Sequence, residues 1–67
     1  MTRSLHVVQT TVPGEPVATR LAEVFVGEGL AACVQMGAPI RSWYRWEGAI
    51  EDSREIPLTL KVRGDRL

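Results

Sequence analysis

The stretch Leu30–Lys61, LAACVQMGAPIRSWYRWEGAIEDSREIPLTLK, decides the fold. It reads as two long strands joined by a tight turn at Glu47-Gly48, a pair suited to a two-residue hairpin loop that needs positive φ. The incoming strand, Leu30–Trp46, is interrupted at Gly37-Ala38-Pro39, because proline brings no donor to the ladder and a kink or bulge is the simplest outcome. The returning strand runs Ala49–Arg63, with polar Glu51-Asp52-Ser53-Arg54 near its start. Pro57 lies inside it and argues for an edge or a second bulge at that point. Such a ribbon is longer than the rest of a 67-residue chain can cover. Its apolar surface points to a partner, foremost other copies of the same chain.

Parity sharpens the reading. With Glu47-Gly48 as the loop, Trp46 faces Ala49, and an unbroken register sets Val34 opposite Lys61 and Cys33 opposite Val62. Directly opposed residues share a sheet face. Leu58, Leu60 and Val62 would then fall with Cys33 and Gln35, and Val34 and Met36 with Thr59 and Lys61. Two outcomes remain open. A one-residue bulge at Gly37–Pro39 shifts the register, or both faces are partly apolar, one covered by a helix and the other by another subunit.

Upstream, Ser4–Thr11 is rich in β-branched residues and bounded by Pro13-Gly14, which makes it a strand. Adjacent Val7 and Val8 suggest burial on both faces, as in a central strand. Pro16–Glu28 is a helix. Val17, Leu21, Val24 and Phe25 with Ala18 and Ala22 form one apolar stripe, Pro16 and Glu15 suit its first turn, and Gly29 is the expected left-handed residue past its end. The order strand, helix, strand, strand gives an α+β class, the first half of a ferredoxin-like split βαβ fold. One domain over residues 1–67 is expected, breaking off at Gly64-Asp65-Arg66-Leu67, where a second helix would begin, or completed by sheet from elsewhere. One helix on such a sheet should be poorly stable alone.

Size and charge exclude several classes. A lone core in a chain this short seldom supplies more than about 3–5 kcal/mol without disulfides, metals or oligomerisation. The single cysteine, Cys33, excludes an intrachain disulfide and suits a reducing compartment. Eight basic residues balance eight acidic ones and Lys61 is the only lysine, so the basic stripe of a nucleic-acid binder is missing. No apolar run approaches a membrane span or a signal peptide. A soluble, cytoplasmic protein is expected. Ser42, Ser53 and the threonines have no plausible base beside them, and Gly27-Glu28-Gly29 follows a helix where a phosphate loop would precede one, so no enzyme is expected.

Val7-Val8-Gln9-Thr10-Thr11-Val12-Pro13-Gly14-Glu15, Leu30-Ala31-Ala32-Cys33-Val34-Gln35, Ser42-Trp43-Tyr44-Arg45-Trp46-Glu47-Gly48-Ala49-Ile50 and Glu55–Lys61 together resemble the CutA family of divalent-cation tolerance proteins. The combination of L-A-A-C-V with Y-x-W-x-G at this separation is specific, and it matches about the first half of a typical member. The resemblance implies a small cytoplasmic, non-enzymatic protein with a ferredoxin-like fold, assembled as a homotrimer through long hairpins and linked to copper and other divalent ions. It also implies an architecture similar to the PII signalling trimers, so a PII-like sensor binding a small ligand in an intersubunit cleft is the alternative. Some members place a metal-ligating cysteine where this chain has Thr10, and Gly14 and Pro57 also depart from the family pattern.

Candidate site residues follow. Cys33 is a soft-metal ligand as a thiolate or a buried small apolar residue. His6 is a second ligand or a half-exposed strand residue. One cysteine and one histidine do not complete a tetrahedral site, so copies would have to share it. Trp46, Glu55 and Lys61 are candidates to line an intersubunit ligand cleft, with Lys61 holding an anion or pairing with Glu55. Trp43, Tyr44 and Trp46 cluster at the ribbon tip, with Trp43 on the face opposite the other two. They read as subunit contacts or as a stacking platform. Arg41 and Arg45 are placed to stack on them or to pair with Glu47 or Glu51.

Overall fold

The computed structural model describes residues 4–64. Strand β1 (Leu5–Val12) leads into helix α1 (Glu15–Gly27), followed by β2 (Cys33–Met36), β3 (Ile40–Trp46) and the long β4 (Ala49–Arg63). Both β1 and β2 pair antiparallel with β4, which lies between them. They are therefore parallel to each other, joined through α1 with a strand inserted, which is the split βαβ arrangement.

The helix boundaries follow local chemistry. Gly14 caps the start in an extended conformation, Pro16 and Glu15 occupy the first turn, and the Ala18 N–H donates to the Gly14 carbonyl at 3.1 Å. At the other end Gly29 has φ 73°. The Leu30 N–H reaches the Phe25 carbonyl at 2.9 Å and the Gly29 N–H reaches Val26 at 3.1 Å. This crossed pair closes the last turn and satisfies carbonyls that would otherwise be orphaned.

The register settles the parity question. β3 pairs with β4 from Trp46↔Ala49 to Ile40↔Glu55, whereas β2 pairs as Cys33↔Lys61, Val34↔Leu60 and Met36↔Leu58. Residues 37–39 thus lie opposite residues 56–57, one more on the incoming side, so the bulge is real and the unbroken pairing of Cys33 with Val62 does not occur. Pro57 explains its position. The Pro57 carbonyl accepts from the Gly37 N–H at 2.9 Å, so its backbone faces β2 and β3. The donor that proline lacks would have pointed into the interrupted part of the ladder, where it costs least.

The shift puts the apolar residues of β2 and of the second half of β4 on one face. Val12, Ile56, Leu58, Leu60 and Val62 are buried there with Ala18 and Ala31, and Leu21, Phe25 and Val34 pack against them. Among the described residues nothing covers the opposite face, which carries Leu5, Val7, Cys33, Thr59 and Lys61. The expectation that β1 is a doubly buried central strand is corrected: among the described residues it pairs on one side only, and Val7 is 61% exposed. Beyond Val12↔Ile56, β3 and β4 continue as a two-stranded ribbon that, among the described residues, pairs with nothing else. Its seven residue pairs span about 24 Å at a strand rise of about 3.4 Å, and they stretch the molecule to 49 × 24 × 18 Å.

Candidate functional site at the root of the ribbon

Glu55 sits where the ribbon leaves the sheet. Its pair Ile40 opens β3, and the Glu47-Gly48 turn, with φ of 50° and 81° as a primed turn requires, fixes which side chains accompany it. Ser42 donates to one carboxylate oxygen at 2.7 Å and Ser53 to the other at 3.0 Å. Thr11 of β1, opposite Pro57, is close enough to this carboxylate to lower its pKa as well. These bonds, led by Ser42, hold the Glu55 carboxyl below its ordinary value, against a smaller opposing effect of desolvation. Hydroxyls of β3 and β4 are thereby tied to one anion beside β1, with no cation bonded to it among the described residues. On the other side of the ribbon Arg41 is ion-paired with Asp52 and lies over the Trp43 ring, 5.0 Å from its centroid. The stacking expected of Arg41 is present, but its acidic partner is Asp52 and not Glu47 or Glu51, because the register places Asp52 beside it on the same face.

The remaining candidates are dispersed. Lys61 lies six residues along β4 from Glu55, about 20 Å at a strand rise of about 3.3 Å, so the two do not pair within one chain. Trp46, opposite Ala49, lies about 20 Å from Glu55 in the other direction by the same rise. Cys33 is half-buried on the uncovered face beside Lys61. His6 pairs with Val62 on the helix-covered face and its ring lies by Gly64, where an added Cβ would come within 3.3 Å of Nε2. Cys33 and His6 therefore stand on opposite sides of the sheet and cannot share an ion within one chain. No group of three potential ligands occurs among the described residues. Sequence reasoning missed Ser42, Ser53 and Thr11 around Glu55, and the Arg41–Arg54 pairing across the ribbon. The turn register, carried back from Trp46↔Ala49, contained three of these: it sets Ser42 against Ser53 and Arg41 against Arg54.

A family model for the CutA1 divalent ion tolerance protein matches residues 6–67. The chain belongs to the CutA1 divalent ion tolerance family. The divalent-cation tolerance protein CutA of Thermus thermophilus is 44% identical over 57 residues, covering 85% of this chain and 55% of that protein. The chloroplastic CutA of Arabidopsis thaliana is 42% identical over 57 residues, covering 85% of this chain and 31% of that protein. A solved Thermus thermophilus Cut A1 structure superposes with a TM-score of 0.89 at 38% identity, covering 94% of this chain and 61% of that one. The split βαβ fold is thus the CutA fold, and the chain spans about half the length of the Thermus relative. The PII-like alternative gains no support from these matches.

Proposed function

We propose that this chain serves in divalent-cation tolerance, without a catalytic step, as a homotrimer locked by its ribbons. Copper or another divalent ion is met at seams between copies. The observation that supports this best is the ribbon itself. It stands beyond the sheet with Trp43 64%, Trp46 60% and Ile50 72% exposed. A lone two-stranded hairpin is marginal in water, and covering its apolar area with a neighbouring copy stabilises it at about 25 cal/mol per Å². The dispersion of candidates fits the same reading. A cleft between copies brings Glu55 or Trp46 of one chain near Lys61 of another, which a single chain cannot do.

The metal part rests on the family description and on Cys33, whose thiol lies on the uncovered sheet face where copies would meet. Sulfur selects Cu(I) or Zn. His6, on the other face, serves a separate ion or one shared with a different copy. The reading places the protein in the cytoplasm with itself as partner, and no nucleic acid or membrane.

Calorimetric titration with Cu(I), Cu(II) and Zn tests the metal role. Saturable binding of at least one ion is expected, weakened in Cys33→Ser. If none binds above buffer and the variant behaves identically, the direct metal role is wrong and a bare structural trimer remains.

A further inference from the structure

The sheet face away from the helix sorts its charges by end. Along β4, burial alternates without a break from Ser53 to Val62, and the even-numbered residues from Ile56 onward lie in the core. Glu55, Pro57, Thr59 and Lys61 therefore share the other face, which nothing covers among the described residues. Glu51 and Glu55 stand at its ribbon end, and Lys61 and Arg63 at the far end. The rows between them are uncharged: Thr11 with Pro57, then Gln9 with Thr59 and Gln35. Ser42 and Tyr44 accompany the acids across the ribbon, and Val7 and Cys33 flank Lys61. Glu55 and Lys61 are both half-buried, yet about 20 Å of strand separates them. The Glu55 carboxylate is already held by Ser42 and Ser53, while Lys61 has no ion-pair partner among the described residues.

We propose that this face docks a second copy of the chain head to tail, so that Lys61 of one copy reaches the Glu55 carboxylate of the next. The inference rests on the reading that copies assemble, and it adds which ends of the face meet and in what sense. Covering the face without such a pairing would strand a carboxylate and an ammonium away from water, which is costly. Two copies laid in the same sense would set acid on acid and base on base. The opposite sense brings each charge to its complement, and the uncharged rows between add no third charge to be matched. Ser42 and Ser53 fix the carboxylate before the lysine arrives, so little side-chain freedom is lost at that end. Around a closed ring each copy gives its lysine to one neighbour and receives one at Glu55 from the other, the head-to-tail contact from which rings are built.

Sedimentation equilibrium on the parent, Lys61→Glu, Glu55→Lys and the double reversal tests this. The parent should assemble, and each single reversal should weaken association about tenfold or more, as expected when one partner of a desolvated charge pair is lost. The double reversal should recover most of that loss, because the two ends are again complementary. Circular dichroism checks that each variant is folded. Should Glu55→Lys fail to fold, Glu55→Gln, whose amide still bonds to the two serines, completes the cycle with Lys61→Gln. Each should then weaken association alone, and the pair together by much less than the product of the two. A parent that assembles while Lys61→Glu assembles equally well overturns the docking and leaves the assembly standing. So does a double variant as weak as the product of its singles. A parent that stays a folded single copy overturns the docking and the assembly together, since the face then belongs to another occupant.

Discussion

Replacing Gly37 by alanine puts a methyl group into the pyrrolidine ring of Pro57. An ideal Cβ at residue 37 would stand 2.9 Å from Pro57 Cγ, closer than real Cβ atoms approach other carbons. The obstruction is a ring closed onto its own backbone, so it cannot swing aside as a long side chain would. Gly37 is not among the positive-φ glycines, so alanine meets no backbone penalty and the collision is the whole cost. Overpacking of this kind costs about 1–3 kcal/mol, a fall in Tm of order 5–20 °C for a domain of this size. Removing the ring should remove the cost. In Gly37→Ala/Pro57→Ala the alanine at 37 should be neutral or stabilise by up to about 1 kcal/mol, as Gly→Ala does where φ allows. A double-mutant cycle by thermal or urea unfolding, at one fixed protein concentration because assembly shifts Tm, should give a coupling of about 1–3 kcal/mol. Additive single effects would refute the claim that the bulge and Pro57 are one packed unit, as would a Gly37→Ala variant more stable than the parent.

Two further perturbations probe the ribbon. The Glu55 carboxyl is held below its ordinary value of 4.5 by Ser42, Thr11 and Ser53. A depressed folded-state value means that the contribution is fully present above about pH 4.5 and is lost as pH falls through the lower folded value. Acid unfolding should therefore steepen below pH 4.5, and Glu55→Gln should flatten that part of the profile; an unchanged profile contradicts the hydroxyl cage. Glu47 holds φ 50°, a region that asparagine enters more readily than glutamate. Glu47→Asn should stabilise by about 0.5–1 kcal/mol as an Asn-Gly primed turn, read by the same unfolding assay, and a loss of stability contradicts the turn type.

The helix, its Gly29 terminus, the Glu47-Gly48 turn and the full extent of β4 were legible in the sequence because each depends on local rules. Proline and glycine fix φ, and apolar residues repeat at a readable period. The bulge was legible only as one of two outcomes. Parity showed that Leu58–Val62 and Val34–Met36 conflict in an unbroken register, but not how the conflict resolves. What Val7 and Val8 meet was misread, because adjacent apolar residues signal two buried faces without saying what buries them. The pairing of Lys61 with Glu55 failed on strand rise, and that of Cys33 with His6 on face alternation. The first follows from six residues of rise within β4 alone, while the second depends on the register of β2 against β4, which the bulge sets. The hydroxyls around Glu55 drew no attention one by one, since Ser42, Ser53 and Thr11 become a site only when three strands converge on one carboxylate.

The proposed assembly rests on a ribbon that the described residues leave bare. Sedimentation equilibrium on a dilution series into the low micromolar range tests this most directly, with acrylamide quenching of Trp43 and Trp46 on the same samples. A constant mass of three copies with slowly quenched tryptophans is the predicted result. A folded single copy whose tryptophans are quenched as fast as free indole would contradict the account.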